Sequence, residues 1–168
     1  VIDKMRTATV TFGALCLVAS SVSTINDIFD KEKDRIHPIK CYRPIASGEI
    51  SVPVACVFSV IIFLVGLLLT YRIDFYAVIL LLSYAVVNFF YTFWLKHVVI
   101  IDTMIIAYGF VVRAVIGAVV IHSGMTVWFL LCVMFLSLFL ALGKRRGEMV
   151  LLGKDVVSTG RKVLKRYT

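Results

Sequence analysis

Apolar and polar residues are not interleaved along this chain; they come in blocks. Long apolar runs occupy residues 7–24, 52–71, 75–95, 98–121 and 127–142, with polar residues gathered between them. At ~1.5 Å per residue, each run as a helix is about long enough to cross a ~30 Å hydrocarbon core. Buried helices of soluble proteins rarely recur five times at such a length. The pattern predicts an all-α fold, a polytopic membrane helical bundle of five transmembrane helices forming one domain over residues 1–168.

Composition agrees with the pattern. Hydrophobic residues make up 61% of the 168 positions and the mean hydropathy is +0.98, whereas a soluble domain is nearer half apolar. The chain has no initiator methionine, its first apolar run starts close to Val1, and no signal-peptide pattern is visible. It therefore reads as a piece of a longer protein. Cys16, Cys41, Cys56 and Cys132 form no C-x-x-C pair and have no histidine at zinc-ligand spacing, so they receive no role.

The net charge of +8 raises the question of nucleic acid, and its distribution answers against it. Lys31, Lys33, Arg35, Lys40 and Arg43 follow the first run, Arg72 alone follows the second, and Lys96 follows the third. His122 marks the turn after the fourth, and a cluster from Lys144 to Arg166 follows the fifth. Basic and nearly neutral connections alternate, which is the positive-inside pattern of a multi-pass protein in a cell (inner) membrane. Loops 25–51 and 143–168 are thus expected on the cytoplasmic side. An even number of spans separates them, so two clusters distant in sequence open on one face and can build one site.

The first cluster reads NDIFDKEKD and puts Asn26, Asp27, Asp30 and Asp34 three and four residues apart. If the first helix continues past the membrane surface, these residues line one face. Stacked carboxylates repel unless a cation sits between them, and oxygen ligands are what Mg²⁺ prefers. The plainer alternative is a solvated helix end with Asp–Lys pairs such as Asp27–Lys31. Polar residues at the end of a membrane span are costly and usually functional, which favours the metal. The segment DRIHPIKCYRPIASG follows, where Pro38 and Pro44 break regular helix and Gly48 permits a turn. Arg35, Lys40 and Arg43 on this loop suit the free oxygens of a diphosphate, or serve only as topology-setting charges.

The run Asn26-Asp27-x-x-Asp30-x-x-x-Asp34 resembles the first Asp-rich motif of the UbiA superfamily of intramembrane prenyltransferases. The longer run from Asp34 through Arg35, His37, Pro38, Lys40, Arg43 and Pro44 to Gly48 is similar to one branch, the decaprenyl-phosphate phosphoribosyltransferases. LKHVVIID, GFVVRAV and LGKRRGE resemble that branch in the same order. Aromatic-acceptor members share a second D-x-x-x-D motif; here that place reads Gly143-Lys144-Arg145-Arg146-Gly147-Glu148. Arg146 departs from the aromatic residue of the branch pattern, and Lys144, Arg145 and Glu148 match it. Tyr91 and Lys96 resemble the superfamily's Tyr-and-Lys pattern at one helix end.

Within the spans, Tyr84, Asn88 and Tyr91 form a polar stripe that should face the bundle interior. Asp102, Gly109 and Arg113 share a face of the next helix, with Arg113 in an internal ion pair or a cavity role. The resemblance implies a fold of about nine helices and a Mg-dependent glycosyl transfer. Its donor would be 5-phosphoribosyl 1-diphosphate and its acceptor a polyprenyl phosphate. Asp27, Asp30 and Asp34 would act as catalytic metal ligands. Asn26, Arg35, Lys40, Arg43, Tyr91, Lys96, Lys144, Arg145 and Glu148 would bind substrate. The alternatives are prenyl transfer to an aromatic acceptor, opposed by the missing second acidic motif, and a membrane transporter, which leaves the Asp spacing unexplained.

Overall fold

The computed structural model describes residues 2–93, 95 and 100–152, with backbone alone for residues 148, 149, 151 and 152. The regular elements among them are all helical. They are α1 (Ile2–Ile36), a 3-10 turn (Lys40–Tyr42), α2 (Pro44–Ser47), α3 (Val52–Tyr71), α4 (Phe75–Phe93), α5 (Ile101–Val120) and α6 (Val127–Leu152). Five of these helices are long and apolar enough to cross a membrane, so the reading as a multi-pass bundle holds.

Local chemistry sets the helix ends. Asp74 Oδ1 accepts the Ala77 N–H at 3.0 Å at the head of α4, and Thr126 Oγ1 accepts that of Phe129 at 3.3 Å at the head of α6. Such caps satisfy donors that a helix start leaves open. Pro44 and Pro53 fall in the first turns of α2 and α3, where the missing N–H has no helical partner to lose. Gly48 closes α2 at φ 92°, a left-handed conformation that a side chain would strain. The first apolar run ends near Thr24, yet α1 continues to Ile36. Nothing between them breaks a helix, and Pro38 is the first residue that does.

The bundle is held by small residues and buried polar contacts, as helix association in lipid requires. α1 and α3 approach closely at Gly66, where an added Cβ would lie 2.6 Å from Val18 Cγ2 and 3.0 Å from the Ala14 carbonyl oxygen. Ser21 Oγ donates to the Ser59 carbonyl at 2.8 Å across the same interface. Val18, Ala77, Leu81, Tyr84, Val112, Ile116 and Val120 join α1, α4 and α5 in one core. Large apolar side chains on the outer faces, among them Ile61, Leu64, Phe135 and Phe139, are more than half exposed, as lipid-facing residues should be. Gly66→Ala is expected to force α1 and α3 apart and to cost about 1–3 kcal/mol, the usual range for overpacking a tight contact. Thermal unfolding in detergent checks it, and an unchanged transition would refute the close approach.

Candidate active site

The acidic residues lie on the part of α1 that continues past its apolar run. Asp30 and Asp34 are buried, at 7% and 5% exposure, and the following segment folds back onto α1, reaching Asp34 through Arg43. Two anchors hold that segment. Arg35 Nε donates to the Ala46 carbonyl at 3.1 Å, and His37 Nδ1 accepts the N–H groups of Ile39 and Lys40 at 3.2 and 3.3 Å. The second contact shapes the turn around Pro38, a role the sequence did not suggest for His37.

The fold-back delivers Arg43 to the carboxylates. Its Nη1 donates to Asp27 Oδ1 at 2.6 Å and to Asp34 Oδ2 at 2.8 Å, bridging two acids seven residues apart on α1. Asp30 lies between them in sequence and pairs with Lys33 at 3.9 Å, while Arg35 pairs with Glu32 at 3.4 Å. Both of these pairs along α1 are i,i+3, and Asp27 takes Arg43 from the loop rather than Lys31 as partner. Burial pushes the Asp27 carboxyl, beyond the apolar run, above the ordinary carboxylate value. Arg43 opposes that shift, Asp34 and Asp30 add to it, and Lys40 opposes it.

These donors suit Mg²⁺. They are hard carboxylate oxygens on one face, and Asn26 Oδ1 beside them is buried with no hydrogen-bond partner among the described residues. Also among the described residues, no three His, Cys, Asp or Glu side chains close into a cage by themselves. That matches the usual habit of Mg²⁺, which takes one or two carboxylates and completes its octahedron with phosphate oxygens and water.

A second polar centre lies among α4, α5 and α6. Arg145 Nε stands 2.5 Å from Asp102 Oδ2, and its Nη2 donates to Asp102 Oδ1 at 2.9 Å. Tyr91 Oη donates to the same Asp102 Oδ1 at 2.6 Å. Asp102 and Arg145 are both almost fully buried, at 1% and 4% exposure. The sequence suggested Arg145 as a phosphate ligand, whereas here its guanidinium clamps α6 to α5. Asp102 as that partner was missed; a carboxylate inside an apolar run, on the same helix face as Arg113, was the available signal. Arg113 itself makes no ion pair among the described residues. Its Nη2 donates to Tyr84 Oη at 2.6 Å, and the guanidinium lies over the Tyr84 and Phe110 rings, 5.0 and 5.4 Å from their centroids.

The two centres share one end of the bundle. Phe29, next to Asp30 on α1, touches Phe93 at the end of α4, with ring centroids 4.6 Å apart. Tyr91 sits two residues earlier on α4 and reaches Asp102 in the first turn of α5. Lys144 follows Gly143 on α6 with its side chain exposed. Lys96 and the side chain of Glu148 lie outside the described residues, as do residues 153–168 of the second loop.

The UbiA prenyltransferase family model matches residues 2–147. The chain belongs to the UbiA family. Its curated relatives include the decaprenyl-phosphate phosphoribosyltransferase of Mycolicibacterium smegmatis, 36% identical over 99% of this chain and 52% of that protein. The protein of the same name from Corynebacterium glutamicum is 35% identical over 95% of this chain and 48% of its own length. The chain thus spans about half the length of the curated relatives it matches. Among solved structures, a UbiA homologue from Archaeoglobus fulgidus bound to DMAPP and Mg²⁺ superposes with a TM-score of 0.82. It is 17% identical and covers 96% of this chain and 59% of that one, a likeness of fold.

Proposed function

We propose that the protein of which this chain is part transfers 5-phosphoribose from 5-phosphoribosyl 1-diphosphate to a polyprenyl phosphate. The products are polyprenyl-phosphoryl-5-phosphoribose and diphosphate. The observation that carries this reading is similarity along almost the whole chain to relatives named decaprenyl-phosphate phosphoribosyltransferase. The basic segment Lys144-Arg145-Arg146, standing where aromatic-acceptor members resemble one another in a second acidic motif, supports it.

In this reading Asp27, Asp30 and Asp34, with Asn26 in support, hold Mg²⁺ against the donor diphosphate. When bound, the metal withdraws charge from the leaving group as positive charge develops at the ribose anomeric carbon. An acceptor phosphate oxygen forms the new bond to that carbon, and the bond to diphosphate breaks. The acceptor is already anionic near neutral pH, so no side chain has to remove a proton. Arg43, Lys40 and Lys144 grip phosphate oxygens at the mouth of the site, with Lys96 and Glu148 proposed beside them. Arg35 holds the loop through Ala46, and Arg145 with Tyr91 fixes the wall that carries Lys144. The site faces the cytoplasm, where the positive-inside rule puts both basic segments.

Membranes containing the full-length protein should transfer label from phosphoribosyl diphosphate to added polyprenyl phosphate. EDTA should remove the activity and excess Mg²⁺ restore it. Label that stays water-soluble under all conditions would overturn the proposal. Consumption of a prenyl diphosphate with an aromatic acceptor instead would move the protein to another branch.

A further inference from the structure

Three carboxylates on one helix face need positive charge, and the loop offers several candidates; the fold gives the bridging position to Arg43. Both ion pairs run through the one nitrogen Nη1, and the side chain is 38% exposed. Arg43 caps α2 with extended backbone, φ −64° and ψ 139°, and its side chain is not the loop's sole tie. Arg35 also holds it through Ala46, and His37 shapes its turn through the backbone of Ile39 and Lys40. Those contacts remain when the guanidinium leaves the acids. As long as it stays, the space between Asp27 and Asp34 already holds a cation.

Resting on the phosphoribosyl-transfer reading, we propose that Arg43 is an internal counter-cation that keeps a bare divalent ion out of the Asp27–Asp34 gap and yields the gap when a diphosphate arrives. The exchange swaps ionic partners and makes no covalent bond. The guanidinium moves from two carboxylates to phosphate oxygens, whose geometry its planar fork matches. The carboxylates it leaves take the metal that came with the diphosphate. Metal and donor then bind as one event, and each strengthens the other by the same factor. The device offsets part of the acids' charge between turnovers without a resident ion.

The test measures metal binding rather than turnover, using Mn²⁺ and its electron paramagnetic resonance signal on the full-length protein in detergent. Arg43→Gln should bind Mn²⁺ alone about tenfold more tightly than the parent, since a competing cation is gone. Lys40→Gln removes the same charge nearby without vacating the bridge, and should change that affinity less than about threefold. Arg43→Lys keeps the charge but lacks the fork, and should also tighten Mn²⁺ binding; it carries the comparison if the Gln variant does not fold by thermal unfolding. Equal gains for Arg43→Gln and Lys40→Gln would overturn the proposal, and so would no gain for either Arg43 variant. If the parent bound no Mn²⁺ even with inorganic diphosphate present, the metal-site reading itself would fall; tight binding there with an inert Arg43 would sink this inference alone.

Discussion

Asp30→Asn in the full-length protein is expected to lower phosphoribosyl transfer by at least about a hundredfold, the scale for removing an electrostatic contact made to a departing group. The substitution keeps the size and shape of a side chain that is 10% exposed, so the helix and the loop beside it should stay folded. What disappears is one negative charge between two acids that already share Arg43. In the proposed mechanism, a neutral Asp30 would weaken binding of the divalent ion, and the diphosphate would leave with more of its charge uncompensated. Raising Mg²⁺ should recover part of the loss if the defect lies in metal affinity. Activity within threefold of the parent, measured with labelled donor and polyprenyl phosphate, would remove Asp30 from the metal site.

Asp102→Ala is expected to be the most damaging substitution for stability, costing about 3–5 kcal/mol, because it leaves the Arg145 guanidinium buried beside an apolar gap. The loss should appear as a lower unfolding temperature in detergent. Replacing both members of the pair, Asp102→Leu with Arg145→Met, should recover most of the stability, since a well-packed apolar pair often matches a buried ionic one. Recovery of stability without recovery of transfer would separate the clamp's structural part from its placement of Lys144. Single variants as stable as the parent in detergent would show that the Asp102–Arg145 contact does not stabilise the bundle there.

The membrane fold was legible because its signal is one-dimensional. Runs of apolar residues near twenty long leave few alternatives in a bilayer, and all five candidate spans are helices. The acidic face was legible for a related reason, since Asp27, Asp30 and Asp34 repeat at the helical period inside one element. What the sequence hid were partners brought together by the tertiary fold. Asp102 and Arg145 are 43 positions apart on different helices, and no local pattern links them. Arg113 invited an acidic partner, yet the fold gives it the hydroxyl and ring of Tyr84. Arg43 looked like one phosphate-binding charge among several until the turn at Pro38 laid it across two carboxylates.

The unbroken course of α1 has one more consequence. A 35-residue helix is about 52 Å long at 1.5 Å per residue, against a hydrocarbon core of ~30 Å. Part of α1 therefore lies beyond the hydrocarbon, and its acidic stretch follows directly on the apolar run. Along that overhang the backbones of Asp27 and Asp34 are about 10 Å apart, yet Arg43 draws both carboxylates onto one nitrogen. In the proposed phosphoribosyl transfer, a lipid phosphate anchored by its own tail would meet the water-soluble donor at that overhang, and the greasy reactant would never have to leave the bilayer.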